Sequence, residues 1–422
     1  MRRTTALILL CLISITFSLP TWAQEPEPLE ERIKSMLHLD GYFDLYWDDE
    51  KGRLLLEIEG FEDAFIYQSS MPRGIGSNDL GLDRGQLGST KLVEFMRSGP
   101  KVLLVENNVD YRAISEDEAE LEAIQSSFAR SVIWGFEISH ETEGRVLVDA
   151  TDFFLRDSHG ISSWLSRAGQ GSYSADATRS AIYMPRTRAF PDNTEVEAVV
   201  TLTGSPKYNE NGSLASPTLA SVVPDVTAVT VNLHHSFVRL PDDNYTPLPF
   251  DPRSGIIPHP GDAGFIDYGS DIGDAMRVRY GRRHRLEKVD PSAEVSEAVE
   301  PIIYYVDPGA PEPIRSALVE GASWWNEAFE AAGYKDAYQV KILPQDADPM
   351  DVRYNVIQWV HRSTRGWSYG SSVRDPRTGE IVKGHVTLGS LRVRQDYLIA
   401  EGLLAPYSGD AIGEPDPMLE MS

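Results

Sequence analysis

Cysteine is almost missing from this chain of 422 residues, which contains a single one. That residue, Cys11, lies inside an N-terminal apolar stretch that we expect to be removed. The rest of the sequence then has no thiol, so disulfide crosslinks, cysteine nucleophiles and thiolate-bound zinc are excluded. We therefore expect packed cores, and not crosslinks, to stabilise the fold.

Basic residues are also scarce, with 39 Lys and Arg against 64 Asp and Glu, so the formal net charge is -25. Loss of Arg2 and Arg3 with the N-terminal stretch would lower the basic count from 39 to 37 and move the net charge from -25 to -27. A chain this acidic repels phosphate backbones, and we expect no nucleic-acid partner. Beyond the N-terminus no apolar run reaches the roughly 20 residues of a membrane span, so no transmembrane helix is expected after signal cleavage.

The first 23 residues have the pattern of an export signal. Arg2 and Arg3 precede an apolar core over residues 6–19, and a small-residue cleavage site ends at Ala23. An uncleaved membrane anchor is the alternative, but the apolar core is shorter than a spanning helix requires. The sequence therefore predicts a signal peptide over residues 1–23 and a periplasmic or secreted protein.

The next two hundred residues alternate between apolar and polar positions, a pattern typical of strands. We predict strands over residues 42–47, 54–58, 91–96, 102–106, 132–139, 146–150, 196–202 and 229–238. This pattern indicates a β-rich N-terminal domain over residues 24–240.

A segment rich in Pro, Gly and Asp follows, and we interpret residues 241–300 as a linker or long loop. It ends in a basic patch made of Arg277, Arg279, Arg282, Arg283, Arg285 and Lys288. The patch would contact an anion or glycan if functional. Ion pairing with the acidic domains on either side is the preferred interpretation.

The hydrophobic period changes after residue 300. Residues 302–306 are typical of a buried strand, and residues 314–332 repeat apolar side chains at helical spacing before Gly333. Further strands are predicted over 340–343, 355–361 and 385–393. Together with the β-rich half, this predicts an α+β fold.

Several stretches in this second half occur in an order that is specific when taken together. They are residues 304–307, 310–315, 324–329, 348–355, 359–370, 375–380 and 383–390, with a weaker match through 99–104. They resemble a bacterial family of exported zinc-dependent metalloproteases with a metzincin-like C-terminal half and an N-terminal half of unknown function. The resemblance implies an incomplete metzincin-like α/β catalytic domain over residues 301–422, a peptide or protein substrate, and zinc in the full-length family member.

The zinc motif of such peptidases, HExxHxxGxxH, is missing from this sequence. In that motif two histidines one helical turn apart bind the same metal, and the glutamate between them acts as general base. Residues 416–422 have the pattern of a helix start followed by an abrupt end. We interpret the chain as truncated before the zinc helix, with an inactive natural relative ending at Ser422 as the alternative. We expect no catalytic residue, no metal ligand and no zinc in this chain, which would be inactive alone.

The predicted strand that starts at residue 385 supports a binding function. The resemblance implies a sheet edge along which extended substrate pairs, and an exposed edge offers unpaired N–H and C=O groups for strand addition. Gly384, Gly389 and Ser390 would keep this strand slim. The predicted substrate-binding residues are His385, Val386, Thr387, Leu388, Gly389 and Ser390. A buried central strand is the alternative.

Three shorter patterns do not carry a function. His140-Glu141 begins a zinc-like motif, but Gly144 stands where the second histidine is needed, which indicates a hairpin turn. Residues 366–370 fit G-x-S-x-G, but a turn and a strand follow in place of the required helix, so Ser368 is interpreted as a loop residue. His234 and His235 lie on opposite faces of a strand and cannot bind one ion together.

Two functions from different classes therefore remain open. The first is the N-terminal portion of an exported zinc-dependent metallopeptidase. The second is a non-catalytic exported peptide- or glycan-binding protein. A glycosidase would require paired carboxylates in a cleft.

Overall fold

The computed structural model describes residues 29–214, 218–259, 264–364 and 366–404. The predicted signal over residues 1–23 and the pattern at 416–422 lie outside these ranges. Within the described ranges, no helix is both long and apolar enough to cross a membrane. The fold is α+β with one large sheet, as the sequence predicts.

The N-terminal half is built on a 13-stranded antiparallel sheet with the order β1-β2-β3-β9-β8-β6-β5-β4-β14-β13-β10, in which β11 and β12 also pair with β13. The strands are β1 (Leu37–Leu39), β2 (Leu45–Asp48), β3 (Arg53–Ile58), β4 (Ala64–Arg73), β5 (Gln86–Ser98), β6 (Lys101–Glu106), β7 (Tyr111–Arg112, outside this sheet), β8 (Ser131–Thr142), β9 (Arg145–Asp149), β10 (Gly171–Ala175), β11 (Ala181–Ile182), β12 (Arg188–Phe190), β13 (Asn193–Pro206) and β14 (Ala228–Val238). The accompanying helices are α1 (Leu29–Ile33), α2 (Glu118–Ser127), α3 (Thr151–Phe154) and α4 (Ile161–Arg167).

This sheet curves around a core of aromatic side chains. Phe65, Phe95 and Phe237 are buried and pack edge-to-face or tilted, with ring centroids 5.6 Å apart for Phe65 and Phe237. The sheet folds back on itself, because the N–H of Tyr42 donates to the Phe190 carbonyl at 2.7 Å. Burial of these rings supplies the stability that crosslinks do not.

The long strand pair β13–β14 has two different buried faces. One face, with Val196 and His235, lies in the aromatic core, where the Tyr67 hydroxyl is 2.9 Å from His235 Nδ1. The other face carries Glu195, Glu197 and His234, which are also buried. The prediction that His234 and His235 lie on opposite faces is therefore confirmed. The hairpin turn predicted at residues 141–145 is also confirmed, since β8 and β9 are joined through Glu143 and Gly144, both with positive φ.

Residues 241–300 form only short strands. They are β15 (Leu248–Pro249), β16 (Pro258–His259), β17 (Phe265–Asp267), β18 (Arg277–Val278), β19 (Tyr280–Gly281) and β20 (Ser296–Glu297). The segment connects both halves, because β17 pairs with β7 while Arg285 bonds both Asp242 and Glu380. Arg285 thus forms the ion pairs expected of the basic patch. Arg283 instead donates to the Thr246 carbonyl and lies over the Tyr245 ring.

The C-terminal half is a five-stranded sheet with the order β23-β21-β24-β26-β25, parallel except for β25. Its strands, with the short β22, are β21 (Ile302–Val306), β22 (Tyr334–Lys335), β23 (Tyr338–Ile342), β24 (Asn355–Val360), β25 (Tyr369–Arg374) and β26 (Ile381–Gly389). Its helices are α5 (Ile314–Ser323), α6 (Trp325–Ala331) and α7 (Ser390–Leu404).

The helix predicted over residues 314–332 is divided into α5 and α6. Trp324 keeps helical dihedrals, but the N–H of Glu327 bonds to the Trp324 carbonyl three residues back, which tightens the turn. Gly333 follows with φ of +85°, as expected for the residue after a helix end. Apolar spacing predicted the helical face but not this local tightening.

The two sheets pack against each other. Ile66 and Val238 of the large sheet form one apolar cluster with Val373 of the small sheet and Val352 of the loop before β24. Lys383 of β26 is fully buried beside this cluster, and its ammonium donates to the carbonyls of Pro349, Asp351 and Tyr354. Burial lowers the pKa of Lys383 to about 8, although nearby carboxylates oppose this shift.

Candidate functional site

The small sheet has two edge strands, β23 and β25, and neither is the strand predicted from sequence. β26 pairs with β24 on one side and with β25 on the other, so its backbone groups are used within the sheet. Within the described residues, β25 pairs only with β26. The prediction of an edge strand starting at His385 is therefore wrong, and residues 390–393, predicted to continue it, begin helix α7.

β25 has the properties of an edge that another chain can approach. Gly370 and Ser371 are exposed, and a Cβ added at Gly370 would meet nothing within 4 Å. Ser371 and Ser372 add little bulk beside it. A short edge strand with small residues in its middle leaves its outer N–H and C=O groups open to pairing by an extended peptide.

A buried ion pair holds the loop that leads into this edge. Arg362 Nη2 lies 2.7 Å from Asp83 Oδ2, with 2% and 0% of the two side chains exposed. Asp83 belongs to the loop between β4 and β5 of the large sheet, so the pair joins the two halves. Arg362 Nη1 also donates to the Trp367 carbonyl at 3.1 Å, which fixes the residues just before β25.

Further contacts from the same β4–β5 loop support this arrangement. The N–H of Ser363 donates to the Gly76 carbonyl, and the Thr364 hydroxyl donates to Asp79. The Tyr369 hydroxyl lies 3.3 Å from Asp83 Oδ2. Burial, reinforced by the Asp83 charge, raises the pKa of Tyr369 to about 12. The hydroxyl therefore stays protonated and can donate to the carboxylate.

An apolar groove of about 510 Å³ lies between α5–α6 and one face of the small sheet. Its lining includes Tyr304, Trp325, Phe329, Tyr338, Val386 and Leu388. Val386 is the register partner of Gly370, so the groove starts one strand away from the open edge. A peptide on β25 would thus lie beside an apolar surface that can accept side chains.

The six predicted substrate-binding residues have different surroundings. Val386 and Leu388 line the groove, whereas His385 and Thr387 are buried on the opposite face. His385 packs against Gly85, and burial lowers its pKa to about 3. It is therefore a neutral buried side chain that does not reach the edge.

The remaining two of these residues, Gly389 and Ser390, have structural contacts. A Cβ at Gly389 would lie 2.5 Å from Arg362 Nη1, so the glycine makes room for the buried ion pair. Ser390 is the first residue of α7, and its hydroxyl is 2.8 Å from Nδ1 of the exposed His361. Neither residue lies on the outer edge.

A glycine is required at position 384 because of packing against Tyr304, and not to allow a substrate to approach. A Cβ at this position would lie 1.9 Å from the Tyr304 hydroxyl oxygen. We expect Gly384→Ala to destabilise the protein by about 1–3 kcal/mol through overpacking. Urea unfolding measures this loss, and Tyr304→Phe in the same chain should restore part of it. If the alanine variant alone is as stable as the parent, Tyr304 does not pack as described.

The G-x-S-x-G pattern at residues 366–370 does not form a serine hydrolase elbow. Strand β25 starts at Tyr369, where the elbow requires a helix. The Ser368 hydroxyl instead accepts from the N–H of Gly389 at 3.4 Å. Ser368 is a loop residue next to the edge, as the sequence predicts.

Two parts of this region were missed from sequence. β25 has the alternation Tyr369, Ser371, Val373, but its glycine and serines weaken the pattern. Arg362 and Asp83 are 279 residues apart, so no local signal connects them.

A second buried polar face, on β13 of the large sheet, was also missed from sequence. Glu195 and Glu197, polar at alternate positions of an otherwise apolar strand, were a usable signal of this face.

Comparison with known proteins covers only part of the chain. Residues 85–289 match a family model described as a domain of unknown function (DUF5117). The matched range starts at the end of the β4–β5 loop and ends in the basic segment, so it stops before the small sheet. No curated protein and no solved structure matches the chain.

Proposed function

We propose that this chain supplies the peptide-binding part of an exported zinc-dependent peptidase, in which extended substrate adds as a strand to β25. The open edge of β25 carries this proposal. The sequence resemblance adds the reaction class and the N-terminal signal adds export to the periplasm or beyond. Strand addition gives affinity through backbone bonds and specificity through alternate side chains.

Catalytic zinc does not fit the described residues around β25. His361 is bonded to Ser390, His385 is buried on the inner face, and Asp83 is paired with Arg362. These side chains do not converge as a ligand set of three. The part played by the described residues is therefore to bind and align the peptide, and no hydrolytic step is derived for them.

A valine at Gly370 tests where the peptide binds. Because an added side chain meets nothing in the chain itself, we expect Gly370→Val to leave stability within about 0.5 kcal/mol. It should weaken peptide binding by roughly tenfold, the effect of about 1.4 kcal/mol. Fluorescence anisotropy with labelled extended peptides measures the affinity, and backbone N-methylation of the peptide should weaken it similarly.

Gly273→Val is the matched control, since a Cβ there also meets nothing within 4 Å and the residue lies far along the chain from β25. Equal peptide affinity for the parent and Gly370→Val would place the peptide elsewhere. Chelator-sensitive hydrolysis by the parent would show that the chain holds its own catalytic metal.

The second candidate is a non-catalytic exported protein that binds peptides or glycans. It is favoured by the missing HExxH motif and by the lack of a ligand set among the described residues beside β25. Binding of glycans that Gly370→Val leaves unchanged would favour this candidate. Peptide binding that the valine abolishes favours strand addition.

A further inference from the structure

The buried polar face of β13–β14 brings three possible metal ligands together. One ligand atom each of Glu197, His234 and Asp348 lies within 4.8 Å of the other two. Glu197 and His234 are register partners on neighbouring strands, while Asp348 comes from the loop between β23 and β24. The cluster thus joins the large sheet to the C-terminal half.

The imidazole of His234 is oriented as a metal ligand would be. Its Nε2 is 2.7 Å from Glu195 Oε2, so in the neutral ring Nε2–H donates to that carboxylate and Nδ1 has the free lone pair. Glu195 is itself held by the Ser236 hydroxyl and by the Asn193 amide. A carboxylate behind a histidine fixes the tautomer and orientation of metal-binding imidazoles.

Two ligand atoms in the cluster have no hydrogen-bond partner although they are buried. They are His234 Nδ1, on a side chain that is 0% exposed, and Asp348 Oδ2. Nδ1 faces Glu197 Oε2 at 3.9 Å. Unpaired polar atoms in a protein interior are costly, and two of them facing the Glu197 carboxylate indicate a missing cation or proton.

The cluster is also reachable from solvent. Glu197 and Asp348 both line a cavity of about 370 Å³, together with Arg73, Arg84, Arg186 and Gln358. Arg186 is the nearest competing cation, with Nη1 3.7 Å from Asp348 Oδ2, which is longer than a hydrogen bond. Arg186 therefore leaves this oxygen able to bind a metal.

We propose that Glu197, His234 Nδ1 and Asp348 bind one Zn²⁺ ion, with Glu195 positioning the imidazole. One imidazole and two carboxylates are ligands that zinc accepts, and a water molecule would complete the tetrahedron. Tetrahedral zinc with ligands at about 2.0–2.2 Å requires ligand atoms about 3.4 Å apart, so the cluster must contract slightly. The ion would be structural, and its site is distinct from the edge of β25.

Two other interpretations of the cluster are possible. Without a cation, burial disfavours a charged His234, but the hydrogen bond to Glu195 and the nearby Glu197 carboxylate outweigh burial and raise the pKa of His234 to about 10, so a proton would take the place of the metal. A carboxylate pair for glycoside hydrolysis would need oxygens about 5 Å or more apart, which is wider than this cluster.

Zinc uptake by the purified protein tests the proposal. A second group, His38, Asp40 and Asp44, is exposed, so the experiment uses His38→Asn as its parent to remove that background. The metal-free parent receives Zn²⁺ alone, bound metal is counted by mass spectrometry, and affinity is measured against a chromophoric chelator. We expect one zinc per chain, and tetrahedral absorption bands when Co²⁺ replaces it.

Asp348→Asn in this parent should reduce zinc affinity by at least about 100-fold, and Glu195→Gln by about 10–100-fold. The asparagine keeps an oxygen for the Met350 N–H that Asp348 now binds, so this variant should melt cooperatively without metal. Zinc-free parent protein, or equal zinc uptake by the parent and Asp348→Asn, would overturn the proposal. The first of these results would assign the proton, and not zinc, to His234.

Discussion

Arg362→Met is expected to destabilise the protein by about 3–5 kcal/mol, because it leaves the buried carboxylate of Asp83 without its partner. The same change removes the donor to the Trp367 carbonyl, so the loop before β25 should open more readily. Urea unfolding measures the free energy. Limited proteolysis should show faster cleavage in residues 361–369 than in the parent.

The double variant Asp83→Leu, Arg362→Met separates the ion pair from the loss of one charge. It should recover much of the stability, because two apolar side chains replace the pair without leaving a buried charge. Arg253→Met is the control, since its pair with Asp251 is exposed and contributes at most about 1 kcal/mol. A small loss for Arg362→Met, similar to that of the control, would mean that water reaches Asp83.

Acid should destabilise the protein through His385. The pKa of this buried imidazole is about 3 in the folded state, against about 6.5 when unfolded. Between these values the unfolded chain binds the extra proton, so stability falls as the pH falls below 6.5. His385 alone should remove about 3 kcal/mol between pH 6.5 and pH 4. Urea unfolding across this pH range should show a smaller loss for His385→Gln.

His284 provides the matched comparison, because burial also lowers its pKa, to about 4. His284→Gln should reduce the acid loss by a similar but smaller amount. In the metal-free protein His234 does not interfere, since its raised pKa leaves it protonated in both states below pH 6.5 and affects stability only as the pH rises from 6.5 toward 10. An unchanged pH dependence in His385→Gln would mean that this ring is hydrated or already protonated in the fold.

The positions of most strands could be predicted from the sequence, but the strands with which they pair could not. Residues 302–306 were predicted as a buried strand and form β21 with the same limits. Alternation shows which side chains share a face of a strand, but pairing partners depend on contacts across the whole chain. The apolar pattern around Val386 indicated burial on a sheet. This pattern did not indicate whether another strand, β25, would cover the outer edge of β26.

Weak patterns account for the elements that were missed. β4 has Gln68, Ser69 and Ser70 in its middle, and these polar residues hid a strand that lies inside the large sheet between β5 and β14. Gln68 and Ser70 lie on the same face as Ile66, which packs with Val373 of the small sheet, whereas Ser69 is opposite His235 on the face of the aromatic core. Tertiary contact therefore overrides local polarity here, as it does at Glu195 and Glu197.

The Asp83–Arg362 link means that the two sheets are not mechanically independent. Asp83 moves with the large sheet, while Arg362 holds the entrance of β25. Any rotation between the sheets must strain this link or tilt the outermost strand with it. The orientation of the large sheet would in this way determine the angle at which an incoming chain meets the backbone of β25.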